Sequence, residues 1–233
     1  MFYFYKVTYN QHGNLYYPFM MKSIIIITII ILSLHLTSEK NTISGKYKII
    51  AETYGDLNAD GIDEKVSVLE TIEKSESGNT RLIQIYRNIN GMWILWHSSE
   101  NAILKYQKDI MMSDPFDGIE IDHGTLLIAF SGGSSWKWSY TDKYRYQNNQ
   151  FELIGYTSDY FKLCEYWLTV DYNLSTGKLI TTKEFEKCEN QEQIIYKTEN
   201  EMFFKSNIDI NLQNRNTKEV TIITPKYKRQ IFI

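Results

Sequence analysis

One run of this chain has the residue types and spacing of an ion site: Gly55-Asp56-Leu57-Asn58-Ala59-Asp60-Gly61-Ile62-Asp63-Glu64. Counted from Asp56, oxygen-bearing side chains fall at positions 1 (Asp56), 3 (Asn58), 5 (Asp60) and 9 (Glu64). Gly61 at position 6 allows a sharp turn, and Ile62 at position 7 offers a backbone carbonyl. Calcium takes about six to eight hard oxygen ligands, and alternate residues of a tight loop can aim several of them at one point. Asp56, Asn58, Asp60, Ile62 and Glu64 are therefore the expected ligands of a structural calcium ion. The alternative is an Asx-rich turn that caps its own backbone through side-chain hydrogen bonds and holds no ion.

A second cluster is aromatic. Trp136, Trp138 and Tyr140 recur at the two-residue period that places side chains on one face of a strand. Such a face can stack on sugar rings or pack into a sheet core. Lys137, Ser139 and Thr141 then occupy the opposite, solvent face. Other reactive residue types lack their contexts. Gly132-Gly133 has no Walker Lys-Ser/Thr pair after it. Ser134 and Ser135, with His97 or His123, have no nucleophile-elbow pattern. Asp114 and Asp117 suggest a glycosidase pair on paper, but acids beside Pro and Gly commonly form turns. With His12 and His35 in the expected leader, the remaining His97 and His123 and two paired cysteines do not make a zinc site.

The acidic run matches the front half of an EF-hand loop, but Ser67 stands where the bidentate Glu belongs and a strand pattern follows. Asp-x-Asn-x-Asp-Gly-x-Asp-Glu followed at once by an alternating strand resembles the calcium loops of integrin-type FG-GAP and VCBS repeats. The resemblance implies an acidic ligand at position 9, here Glu64, with Asp63 as the frequent second acid, and a loop joining two strands. A single such loop does not imply a propeller. More loosely, Asp114-Pro115-Phe116 and Gly132-Gly133-Ser134-Ser135-Trp136-Lys137-Trp138 resemble a group of exported bacterial proteins with one Asp-rich loop. That likeness covers about residues 50–160 and brings no activity with it.

These residues must be positioned by strands. Eighteen Tyr, frequent Ile and Thr and only three Pro favour β structure. Alternating runs predict strands over 45–54, 65–72, 81–87, 92–97, 118–122, 125–130, 136–146, 151–156, 163–172 and 179–186, with further islands at 194–196, 208–212 and 220–224. Asn88-Ile89-Asn90-Gly91, His123-Gly124 and Gln147-Asn148-Asn149-Gln150 read as hairpin turns, Ser131 to Ser135 as a flexible link, and residues 98–112 as a short helix or irregular structure. A hairpin centred on Thr176 sets Trp167 opposite Phe185 and Cys164 opposite Cys188, close enough for a disulfide. The expected fold is mainly β, with antiparallel sheets built from hairpins, sandwich-like or incompletely propeller-like, and little helix.

Ile24 to Leu34 is an apolar run of about 11 residues, too short for a hydrocarbon core that needs about 20. Lys22 precedes it, as in a secretory signal. Residues 1–38 are expected to be a mis-called start plus a signal peptide, with translation beginning at Met20 or Met21, and 39–233 a single β-rich domain with no stable membrane span after cleavage. The formal charge of −3 argues against a nucleic-acid partner. The expected function is a non-enzymatic secreted or periplasmic binding domain with a structural calcium loop, its partner a glycan or protein of the cell envelope. An inhibitor of an envelope hydrolase such as lysozyme, presenting Ser131 to Ser135, is the second reading. A carboxylate-dependent glycoside hydrolase is the third.

Overall fold

The computed structural model describes residues 8–9, 15–16, 45–73, 78–107, 111–190 and 192–233. Two compact units are distinguished, Met1–Gly45 and Lys46–Ile233. In the first, β1 (Thr8–Tyr9) pairs antiparallel with β2 (Leu15–Tyr16). The expected leader otherwise lies outside the described residues.

In the second unit the described residues form strands and irregular segments, with no helix. A four-stranded sheet runs in chain order through β3 (Tyr47–Gly55), β4 (Glu64–Thr71), β5 (Arg81–Ile89) and β6 (Met92–Ser99). A seven-stranded sheet follows, also in chain order: β7 (Phe116–Asp122), β8 (Thr125–Gly133), β9 (Lys137–Gln147), β10 (Gln150–Lys162), β11 (Tyr166–Asn173), β12 (Lys178–Glu189) and β13 (Glu192–Phe204). The last hairpin is β14 (Thr221–Ile223) with β15 (Gln230–Phe232). Every pairing is antiparallel, and neither large sheet closes into a barrel. Hairpin-built antiparallel sheets are thus what the alternation predicts.

Short connections make this meander possible. Asn90 and Gly91 (φ 53° and 80°) and Asn148 and Asn149 (φ 51° and 62°) adopt the left-handed pair that a two-residue hairpin needs. The period-2 pattern then puts Val66, Val68, Ile83 and Ile85 on one face of the small sheet, and Leu126, Ile128, Phe130, Tyr144 and Val170 on one face of the large one. All are buried in a common core. Ile210 to Leu212 continues that core by pairing with β10: Leu153 N donates to Ile210 O (2.9 Å) and Leu212 N to Phe151 O (3.0 Å). Ile222, Ile231 and Ile233 of the last hairpin complete it.

Two buried ion pairs fasten these layers. Arg81, 1% exposed, donates to Glu70 Oε2 (2.8 and 2.5 Å) and to both oxygens of Asp114 (2.7 and 2.5 Å). Arg215 donates from Nε to Asp142 Oδ2 (2.6 Å) and from Nη2 to Oδ1 (3.2 Å), fixing the C-terminal segment to β9.

Four sequence expectations are corrected. The β11–β12 hairpin has a four-residue turn, Leu174 to Gly177, so its centre falls between Ser175 and Thr176 and Phe185 faces Tyr166 rather than Trp167. Asn173 Oδ1 accepts Thr176 N (2.9 Å) and favours this turn. Cys164 is consequently not in a strand but in the β10–β11 turn, with φ 64°, and still bridges Cys188 across a Cα–Cα distance of 5.1 Å. The expected flexible link is largely strand: Ser131, Gly132 and Gly133 pair with Ser139, Trp138 and Lys137. Trp136 lies in the turn before β9 rather than on the strand with Trp138, because chain reversal takes up Ser134 to Trp136. Besides these, β15, where no strand was expected, forms by pairing with β14.

Candidate functional site

The acidic loop joins β3 to β4 and is bonded mostly to itself. Asp56 Oδ1 accepts the backbone N–H groups of Asn58 (3.2 Å), Ala59 (2.7 Å) and Asp60 (3.3 Å), and its Oδ2 accepts Gly61 N (2.8 Å). Asn58 Oδ1 accepts Asp60 N, and Asp60 Oδ1 accepts Ile62 N, both at 2.8 Å. These are successive Asx turns, the local bonding that Asp and Asn favour. Glu64, 1% exposed, accepts Leu57 N and Asn58 Nδ2, each at 2.8 Å.

The loop's charges are unevenly settled. The Gly61 N–H and three further backbone donors hold the Asp56 carboxyl below its ordinary pKa, outweighing its desolvation. Burial pushes Glu64 up, and the nearby charges of Asp60 and Asp56 push it further. The Ile62 side chain is half exposed, and its backbone, not its side chain, is what an ion would use. Among the described residues, no cluster of three or more His, Cys, Asp or Glu is already arranged as a metal site. The donor set is nonetheless all oxygen, which suits calcium over softer-ligand metals.

A different feature offers a ligand-sized space. On the core face of the seven-stranded sheet, residues of β9 to β12 and of the C-terminal segment line an open groove of about 780 Å³. Strand register builds its floor. Trp138 and Tyr140 on β9 pair with Tyr160 and Ser158 on β10; Tyr160 pairs in turn with Leu168 on β11, and Leu168 with Lys183 on β12. Tyr166 lies on the same face beside Leu168. Arg229 and Gln230 to Ile233 form a wall.

The rings are ordered against one another. Trp138 and Tyr140 stack with centroids 5.9 Å apart and planes inclined by 22°. Trp136, in the turn before β9, stacks on Tyr160 at 5.7 Å and 28°. The Trp138 indole lies over Gly132, where a Cβ would come within 2.6 Å of it. Lys162 Nζ sits 4.8 Å from the Trp136 ring, and Lys183 Nζ 3.9 Å from the Tyr166 ring. Arg215 stacks on Tyr140 and Tyr156 at 5.5 and 5.9 Å. Burial alone would lower the Arg215 pKa, but the Asp142 carboxylate outweighs it and keeps the guanidinium charged. Burial pushes the Tyr140 phenol far up, so it enters the groove as a neutral hydrogen-bonding group.

Of the sequence candidates Trp136, Trp138 and Tyr140, Trp138 and Tyr140 line this groove, whereas Trp136 lies in the turn before β9 and reaches it only through its stacking on Tyr160. Sequence reading missed Tyr160, Tyr166, Lys183 and Arg229, which register and the last hairpin deliver from distant positions. The hairpin register was the available signal: centred one half-residue earlier, it would have placed Tyr166 rather than Trp167 on this face.

The remaining candidates are dispersed. Asp114 is bound to Arg81, whereas Asp117 accepts Ser131 Oγ (2.9 Å), so the two do not form a carboxylate pair. Ser134 and Ser135 are exposed turn residues. His123 is an exposed turn residue bonded to Asp122. His97 packs against Trp96, Tyr146 and Phe151 at 4.8, 5.7 and 5.1 Å, and its Nε2 has no hydrogen-bond partner among the described residues. Burial, and secondarily Arg87, pushes its pKa down.

Compared with known protein families, curated proteins and solved structures, the chain matches none.

Proposed function

We propose that this chain is a non-enzymatic, exported carbohydrate-binding domain that holds its ligand in the aromatic groove of the large sheet and is stiffened by calcium at Asp56 to Glu64. The observation that carries the reading is the platform of Trp138, Tyr140, Tyr160 and Tyr166 along one open face. Sugar rings present apolar C–H faces and polar edges, and a pocket of aromatic faces with a few polar groups complements both. Tyr hydroxyls and the Arg229 and Lys183 side chains supply the polar edge.

Export is supported by the Cys164–Cys188 disulfide, since such bonds persist in oxidising compartments. Calcium is supported by the ligand spacing and by three mutually repelling carboxylates, Asp56, Asp60 and Glu64, whose repulsion a dication would relieve. In the bound loop Asp56, Asn58, Asp60 and Glu64 would supply side-chain oxygens and Ile62 its carbonyl.

Display of the protein on an array of immobilised glycans tests the reading. The parent binds a subset of sugars, and Trp138→Ala and Tyr160→Ala lose them while keeping the parental near-UV dichroism of the rest of the fold. Failure of the folded parent to bind any glycan, or full retention by both variants, would remove the groove from consideration.

A further inference from the structure

Lys183 distinguishes this groove from a purely aromatic cleft. It projects from β12 onto the floor, with Nζ 3.9 Å from the centroid of Tyr166 and 4.9 Å from that of Phe185. Its cross-strand neighbour on β13 is Glu199, the obvious counter-ion. Glu199, however, is bonded to Arg229 and to Lys197, the latter at 2.6 Å. The other carboxylates bordering the groove are also engaged. Asp142 is held by Arg215, and Asp159 accepts Trp167 Nε1 and Thr169 Oγ1, both at 2.7 Å. Lys183 is therefore a groove cation without an ion-pair partner among the described residues.

From this geometry we infer that the groove selects acidic sugars, a pyranose stacked on the Trp138, Tyr160 and Tyr166 rings with its carboxylate set against Lys183. The inference rests on the carbohydrate reading above and names its ligand class. Charge complementarity supplies the argument. Arg215 and Arg229 arrive already neutralised, so a neutral sugar leaves Lys183 desolvated against ring faces with only their quadrupoles to offset its charge. Burial first, and the nearby Arg229 charge second, push the Lys183 pKa down against the opposing charge of Glu199, the direction a half-buried cation without a close ion-pair partner takes. A carboxylate on the ligand supplies the missing partner. It also places the anion beside Arg229, whose guanidinium lines the same wall. The ring faces provide the stacking that a free inorganic anion cannot use, so the anion and the ring are recognised together. Lys is a compact point charge and does not demand the bidentate geometry that an arginine would.

Calorimetric titration of the full chain with a galacturonic acid tetramer and with a neutral glucose tetramer tests this. The parent is expected to bind the acidic tetramer about tenfold more tightly, the factor that one charge-assisted contact supplies. The preference should shrink as salt is raised from low to physiological concentration. Lys183→Met should bring both sugars to the same weak affinity, and Lys183→Arg should restore most of the preference. Trp138→Ala should weaken both sugars together. Equal affinity of the parent for the two tetramers, or a preference that survives Lys183→Met, would overturn the acidic-sugar inference and leave carbohydrate binding standing. Absence of binding to either tetramer, together with an empty glycan array, would overturn both.

Discussion

Arg81 and Asp114 lie 33 residues apart in the chain and meet through two parallel hydrogen bonds of 2.7 and 2.5 Å. The same guanidinium holds Glu70, so one buried cation joins β4 and β5 to the segment that leads into β7. Removing Arg81 leaves Glu70 buried with Lys48 and the Asn79 amide beside it. Arg81→Ala should cost about 3–5 kcal/mol, the range for breaking a buried pair from one side. Asp114 is 41% exposed at its side chain. Asp114→Asn should therefore cost no more than about 1 kcal/mol, after allowance for solvent screening. Urea unfolding of the two variants checks the order.

Acid should act on the same cluster. Burial would raise the carboxyls of Glu70 and Asp114, but hydrogen bonds and charge from Lys48 and Arg81 for the first, and from Arg81 for the second, hold both below their ordinary values. Their stabilisation is present above the unfolded carboxylate range, about pH 4 to 4.5. It is lost as pH falls through the lower folded values. His97 acts at higher pH, because its folded pKa is depressed and the unfolded chain takes up the proton first. Stability should fall as pH drops below about 6.5. Thermal melts between pH 7.5 and 5 should show this decline in the parent and a flatter profile in His97→Phe.

Calcium should raise the melting temperature, with half-saturation on the order of 0.1–1 mM, the range of extracellular sites. Asp56→Ala combined with Asp60→Ala should abolish that rise. The double variant should also melt lower without calcium, because Asp56 caps four backbone N–H groups in the loop. The raised Glu64 pKa adds a pH signature: protons compete with calcium at this carboxylate, so affinity should weaken as pH falls. A calcium-dependent shift that persists in the double variant would place the ion elsewhere.

The disulfide closes a separation of 24 residues. Cys164→Ser with Cys188→Ser should destabilise the protein by about 3 kcal/mol on chain-entropy grounds. Denaturant unfolding with and without reductant should give the parent the same loss, and the double variant none.

Gly132→Val is the sharpest probe of the groove's construction. A side chain there meets the Trp138 indole at 2.6 Å and must displace it. Overpacking of this kind costs about 1–3 kcal/mol. Glycan affinity should fall along with tryptophan fluorescence anisotropy, whereas Gly45→Val, at a position with no atom of the described residues within 4 Å of its Cβ, should change neither.

Much of the strand layout could be read from local pattern, because alternation and left-handed turn residues act over a few positions. Asn90-Gly91 and Asn148-Asn149 mark two hairpins without any knowledge of the tertiary fold. The partners of Arg81, Arg215 and Arg229 could not be read this way, since each acid lies 11 or more residues away and is chosen by packing. Part of the groove was legible: Trp138 and Tyr140 are close in sequence, whereas Tyr160, Tyr166 and Lys183 join them only through three successive strand registers. A half-residue error in the centre of one hairpin exchanges Tyr166 for Trp167 on that face, because a one-residue slip inverts every side chain of a strand. In the observed register Trp167 lies on the opposite side, stacked on Phe161 at 4.2 Å. The Gly-Gly segment read as a flexible link because its glycines are uncommon in strands; here one of them makes room for an indole.

The most direct test of carbohydrate binding is a crystal structure of the protein soaked with the sugar that the array selects most strongly. Density for a pyranose ring lying on Trp138, Tyr160 and Tyr166, bounded by Arg229 and Phe232, is the result this account predicts. A sugar bound at any other surface, with the groove filled only by solvent, would contradict it.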